Sequence, residues 1–228
     1  DEDTRCLPGT VQRLLGAMLH PLNRARRDAQ GRRRGYAVLQ PAMQLTARAV
    51  QTGYAACMYG AGGVDGYPFS ISDFYQDMSG RGNYAGKGIY EVRAFYEATQ
   101  GRLNDDAILS HDLIEGILSG AGFLNDVALY DGCPTRLQAD LLRLHRWTRG
   151  DWQLLPALFS RLGLDGLDRL KIIGNLLRSL NAPALLLMLL HALWADAQGA
   201  FMAALLIAFR EPLLSLLHGG AQAWRRAL

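Results

Sequence analysis

The chain has 228 residues, half of them hydrophobic and a fifth charged, which excludes intrinsic disorder, and its glycines and prolines follow no collagen-like period. The formal charge of +3, from 24 basic and 21 acidic residues, is too mild to call for a nucleic-acid partner. The cysteines Cys6, Cys57 and Cys133 are too few and too widely spaced for a disulfide framework or a structural zinc site, and they fit a reducing compartment.

The chain opens on Asp1-Glu2-Asp3-Thr4, with neither an initiator Met nor a signal peptide, and reads as a piece of a larger protein entered mid-domain. Pro8 suits a helix's first turn, and Val11, Leu14, Leu15 and Met18 follow at helical spacing, predicting an amphipathic helix over 8–20. Arg24 to Arg34 is a basic stretch: either a solvated loop or a surface for anionic lipid or phosphate. Gly35 to Gln40 predicts a short strand closed by Pro41, and 43–58 a weak helix. Gly60 to Pro68 is a glycine-rich loop without the ending of a P-loop. A second glycine-rich run, 80–90, sets four glycines around Lys87 and two tyrosines; glycine permits close backbone approach to a ligand, or the run simply links two elements.

Val92, Phe95 and Tyr96 open a helix, and Leu113 to Leu118 mark another, with Ser110 as its cap. Asn125 to Tyr130 predicts a strand, and Leu137 to His145 a helix running into Arg146-Trp147. Strands alternating with helices predict a layered α/β domain. Composition changes near Leu164. Over 167–180, Leu167, Leu170, Ile173, Leu177 and Leu180 share one helical face opposite Asp168, Arg169, Lys171 and Arg178, a pattern that suits a membrane interface. Ala182 to Ala195 and Ala200 to Phe209 are nearly uncharged; each is shorter than the ~20 residues that cross a bilayer. They are a tilted membrane hairpin or a buried one, and the preceding helix favours the membrane.

Three clusters carry chemistry. Asp1-x-Asp3 offers two carboxylates to a hard divalent cation, although such pairs also occur in solvated loops. Asp112, in Leu109-Ser110-His111-Asp112, is a general base for a hydroxyl or a helix-capping acid. Arg143, Arg146 and Arg149, with Trp147 and Trp152, supply phosphate-binding guanidinium groups and flat faces for sugars, or an ordinary helix end. The five histidines, His20, His111, His145, His191 and His218, are too scattered for a metal cluster.

The order of D-x-D, a later Asp and R-x-x-R-W resembles the processive family-two glycosyltransferases, among them cellulose, chitin and hyaluronan synthases. Their pattern is D-x-D, T-E-D and Q-x-x-R-W, then an interfacial helix and membrane helices. Here Ser110-His111-Asp112 stands at T-E-D and Arg143 replaces the Gln. Further blocks narrow the resemblance: His20-Pro21-Leu22-Asn23-Arg24, Gly35 to Pro41, Asp73-Phe74-Tyr75-Gln76-Asp77, Tyr84 to Tyr90, Leu109 to Leu113 with Glu115-Gly116, and His145 to Gln153. Collinear from residue 1 to about 183, they resemble the glycosyltransferase domain of cyclic β-1,2-glucan synthases; beyond that only composition is similar.

The resemblance implies the C-terminal half of a GT-A (Rossmann-like) domain over 1–163, an interfacial helix over 164–181 and apolar membrane helices over 182–228. It implies an inverting, UDP-glucose-dependent hexosyltransferase that extends a β-1,2-glucan on the cytoplasmic side of a bacterial inner membrane. Other domains of a larger polypeptide would control chain length. Asp1 and Asp3 would hold Mg²⁺ or Mn²⁺ and the diphosphate, and Asp112 would be the base. Arg146 and Trp147, helped by Arg143 and Arg149, would sit at the diphosphate and acceptor. Tyr84 and Lys87 would line the acceptor channel. The uridine site in this fold lies before the D-x-D, so the piece alone is expected to be inactive. The alternative is an inactive membrane-associated remnant that binds glucan or a partner protein; a related enzyme with another sugar donor also stays open. A hydrolase built on Asp73, Asp77 or Asp112 lacks a paired-carboxylate pattern.

Overall fold

The computed structural model describes residues 4–27, 29, 33–46, 48–59, 73–103, 112–160, 162–195 and 197–208. Asp1, Asp3, the 60–68 loop, Ser110, His111 and the chain after 208 lie outside these residues. The architecture is mixed α/β. A four-stranded sheet runs β1 (Arg5–Cys6), β6 (Ala121–Asp131), β4 (Val38–Leu45), β5 (Ile89–Tyr90). Its two long central strands are parallel, and each short edge strand is antiparallel to its neighbour.

The first five residues of β4 are all buried, as expected of a central strand covered on both faces. The strand does not end at Pro41. Pairing with β6 jumps there, from Pro41 opposite Leu124 to Ala42 opposite Ala128, so β6 bulges over 125–127. Proline has no N–H for the ladder, and a bulge is where a sheet accepts it. The helix expected over 43–58 shrinks to α2 (Gly53–Tyr59), because 43–45 continue the strand.

Helix α1 (Thr10–Leu19) starts after Gly9, which leaves Pro8 outside its first turn. The basic stretch folds back as a small hairpin, β2 (Arg26–Arg27) against β3 (Arg33–Arg34), and not as plain loop. Helices α3 (Phe74–Ser79), α4 (Val92–Thr99), α5 (Asp112–Ser119) and α6 (Leu137–Gln153) follow, the last running into a 3₁₀ turn over Leu155–Phe159. Apolar periodicity had located α4, α5 and α6.

Helix α7 (Gly166–Trp194) is one continuous helix through Pro183, followed by α8 (Gln198–Ala208). Asp165 caps it, accepting from Leu167 and Asp168 N–H, while the Asp168 carboxylate accepts from Asp165 N–H. This reciprocal capping box satisfies orphan donors at the helix start. Leu164, where composition changes, is itself buried in a core with Ile114, Ile117, Leu118, Leu154, Leu158, Ile172 and Leu176. The first half of α7 therefore packs on α5 and the 3₁₀ turn.

The helix turns an unusual face inward. Asp168 and Lys171 are buried beside Ile172 and Leu176, while Leu170, Ile173, Leu177 and Leu180 are exposed. Toward its end Leu186, Leu187, Leu190, Leu193 and Trp194 are exposed too, and α8 packs against it, with Ala192 of α7 and Ala204 of α8 buried. Among the described residues α7 is long and apolar enough to cross a membrane, and only 11% of its most apolar window is buried.

Candidate functional site

The site is organised by the segment from Gly80 to Gly88, which has little secondary structure and is held from every side. Asp73 caps α3 with one carboxylate oxygen and accepts from Asn83 N–H at 3.2 Å with the other. Gly82 N–H donates to Ala121 O at 2.8 Å, tying the segment to β6. Gln40, 1% exposed in β4, accepts from Ala85 N–H at 3.0 Å. From α7, Lys171 Nζ donates to Arg81 O at 3.2 Å and Gly82 O at 2.8 Å. A buried Gln and a buried Lys are tolerated because the backbone groups they meet need partners as much as they do.

Two glycines show why small residues are required. Gly86 lies at φ +81, and a side-chain carbon there would come within 2.7 Å of the Asp112 carboxylate. The backbone thus closes on Asp112 itself, and not only on a ligand. In α5, a side-chain carbon on Gly116 would meet Tyr84 Cβ at 2.5 Å, so Gly116 makes the seat for Tyr84.

These elements line a cavity of about 370 Å³, with Tyr75, Asn83, Tyr84 and Asp112, Trp147 and Asp151 of α6, and residues of α7 around it. Asp112 stands in the first turn of α5, where the helix dipole favours a carboxylate. Burial, with Asp112 and Glu115 nearby, pushes the Tyr84 hydroxyl up to about 12, so it stays neutral. Burial also raises Asp151, against the opposing pull of Arg178 and Asn175. Asn175 Nδ2 donates to Asp151 at 3.0 Å and Trp152 Nε1 donates to Ser179 Oγ at 2.9 Å, which zips α6 to α7 beside the cavity.

Tyr84, Asp112 and Trp147, far apart in sequence, therefore meet in one cavity. Arg143 does not line it. Its guanidinium donates to Asp140 at 3.0 Å and Tyr59 at 2.8 Å, and stacks on the Trp147 ring at 4.7 Å. Asp140, 4% exposed, also accepts from the Tyr54 and Tyr59 hydroxyls. Arg146 and Arg149 are exposed on α6 outside the lining. Lys87 faces elsewhere: its ammonium pairs with Asp131 and donates to Thr4 Oγ1 at 3.1 Å, while Thr4 donates to Asp131 at 2.7 Å. Gly86 thus meets Asp112 while its neighbour Lys87 binds the chain start at the carboxyl end of β6.

Asp1 and Asp3 adjoin this anchored Thr4 but lie outside the described residues. Among those described, no group of three or more His, Cys, Asp and Glu could hold a metal. Sequence reasoning missed Gln40, Asn83, Asp131, Asp140 and Lys171. The Asp73 block was visible as a motif, but its capping of two segments at once was not. Lys171 carried no signal separating it from a solvated charge.

No protein-family model matches the chain. The chain is 40% identical over 185 residues to the cyclic beta-(1,2)-glucan synthase NdvB of Rhizobium meliloti (strain 1021). That similarity takes in 79% of this chain and 6% of the relative's length. The chain is homologous to one segment of a cyclic β-glucan synthase, as its collinear motifs indicated.

Proposed function

We propose that this chain, as the counterpart of one segment of a cyclic β-glucan synthase, is the acceptor-side half of a GT-A glycosyltransferase domain. Within the whole protein, that domain transfers glucose from UDP-glucose, with inversion, to a growing β-1,2-glucan at the cytoplasmic face of a bacterial inner membrane. The observation that carries the reading is the meeting of Asp112 with Tyr84 and Trp147 in one sugar-sized cavity. The exposed apolar face of α7 supports the membrane location.

In the transfer, the acceptor oxygen bonds to the anomeric carbon as the bond from that carbon to the diphosphate oxygen breaks. The Asp112 carboxylate takes the acceptor hydroxyl's proton, and UDP leaves as an anion. An α-linked donor gives a β product because the displacement is single. Trp147 offers its face to an acceptor sugar, and Arg143 holds that ring in place. The exposed Arg146 and Arg149 supply positive charge for the diphosphate. Asp1 and Asp3 are oxygen donors that suit Mg²⁺ or Mn²⁺. Such a cation, when bound, neutralises charge on the diphosphate.

The test uses membranes carrying the full-length protein with labelled UDP-glucose. Asp112→Asn keeps the shape and removes the base, and label in polymer should fall about 100-fold or more. Equal incorporation by wild type and variant would remove Asp112 from that role and put the inactive-remnant reading ahead.

A further inference from the structure

We infer that α7 is a wall of the site as well as a membrane element, and that Lys171 is a positioning residue which holds the segment from Arg81 to Tyr84 in place against the cavity that Trp147 also lines. The inference rests on the proposed transferase reading and assigns a role to a residue outside its chemistry.

Lys171 is 4% exposed, on a helix that leaves Leu170, Ile173 and Leu177 exposed beside it. A lysine is seldom buried unless its ammonium is well partnered. Here it donates to two consecutive carbonyls, Arg81 O and Gly82 O, and sits 5.0 Å above the Tyr75 ring. The clamp is reciprocal. Arg81 reaches back to the start of α7, pairing with Asp165 and, at 3.2 Å, with Asp168. Those two carboxylates also form the capping box of α7, so the helix start and the segment are locked through the same groups.

The locked residues lead straight into the cavity lining. Asn83 and Tyr84 follow Gly82 directly, and Tyr75, Lys171, Gly174, Asn175 and Arg178 line the same cavity. Asn83 Oδ1 is buried with no hydrogen-bond partner among the described residues. Leaving an acceptor orphaned is unfavourable, and such groups mark sites where a ligand or water completes the set. The clamp on the two preceding carbonyls, with the Asp73 bond to Asn83 N–H, fixes Asn83 where it lines the cavity.

The experiment compares wild type, Lys171→Met and Lys171→Arg in the full-length protein in membranes. Methionine keeps the length of the side chain but cannot donate to carbonyls; arginine can. One readout is kinetic, with UDP-glucose and added β-1,2-glucan oligosaccharide varied separately. The other is independent of activity: the rate of tryptic cleavage between Arg81 and Gly82, followed by mass spectrometry. Lys171→Met should raise the KM for oligosaccharide about tenfold, leave the KM for UDP-glucose within twofold, and speed cleavage after Arg81 at least fivefold. Lys171→Arg should recover most of both. Unchanged cleavage and unchanged KM in Lys171→Met overturn the inference. So does an equal loss toward both substrates that arginine does not rescue, which is the signature of misfolding. If wild type incorporates no label, the transferase reading fails, and cleavage after Arg81 alone decides the clamp.

Discussion

The two halves of α7 are one helix in two different surroundings. From Gly166 to about residue 178 it buries Asp168, Lys171, Ile172 and Leu176 against the domain. From Leu186 to Trp194 it exposes Leu186, Leu187, Leu190, Leu193 and Trp194. The first half is held by polar partners that exist only when the sheet and the Gly80–Gly88 segment are folded. The second half has apolar surface that water disfavours and lipid accepts. Buried charge therefore marks the half that packs on the domain, since Leu170 and Leu177 are exposed there much as Leu186 and Leu190 are in the other half. An amphipathic pattern does not say which face turns inward.

The comparison is broken most strongly by a cavity in the first half. Ile172 is 1% exposed, so Ile172→Ala should cost about 2–5 kcal/mol in stability. Leu187 is 67% exposed, and Leu187→Ala in the second half should change it by less than about 0.5 kcal/mol. Pulse proteolysis of the detergent-extracted protein measures both, and comparable losses would show that the far half is packed as tightly as the near one.

A smaller effect sharpens the role of the clamped segment. Gly86→Ala places a carbon within 2.7 Å of the Asp112 carboxylate at a positive φ. Stability should fall by about 1–3 kcal/mol, and glucosyl transfer should fall further than stability explains, because the carboxylate itself must move. Full activity with unchanged stability would separate Gly86 from the site.

The smallest effect concerns the network behind Trp147. Burial and the hydrogen bond to Asp140 push the Tyr54 hydroxyl up to about 12, and the same causes raise Tyr59 further. A folded pKa above the unfolded value of 10.0 means that the fold favours the protonated phenol. Stability is then complete below pH about 10 and declines from there to pH about 12 and above. Tyrosinate absorbance recorded alongside unfolding should show this loss, and Tyr59→Phe should make it shallower. An alkaline loss identical in the variant would place its origin elsewhere.

Much of the fold was legible because short-range physics sets it. Apolar spacing located α1, α4, α5, α6 and the apolar stretches of α7 and α8, although the expected break between 167–180 and 182–195 is absent and α7 runs through it; chain order carried the motifs. The strand at Pro41 was misjudged because proline's missing N–H ends most strands, whereas here a bulge in the partner absorbs the gap. The second glycine-rich run was recognisable as unusual, but what its backbone approaches was not: Gly86 meets a carboxylate of α5, twenty-six positions from it along the chain.

By itself the sequence determined the amphipathic helices α1, α4, α5 and α6, the run of motifs and the existence of an apolar C-terminal region, since these depend on spacing and residue type. Only the tertiary structure decided that Tyr84, Asp112 and Trp147 share a cavity, that Lys87 turns to Asp131, and that Lys171 points inward. The physical reason is that a buried charge or a backbone carbonyl must find a partner, and such partners lie on elements distant in sequence. Periodicity records which side chains share a face of an element; only the packed chain supplies what that face meets.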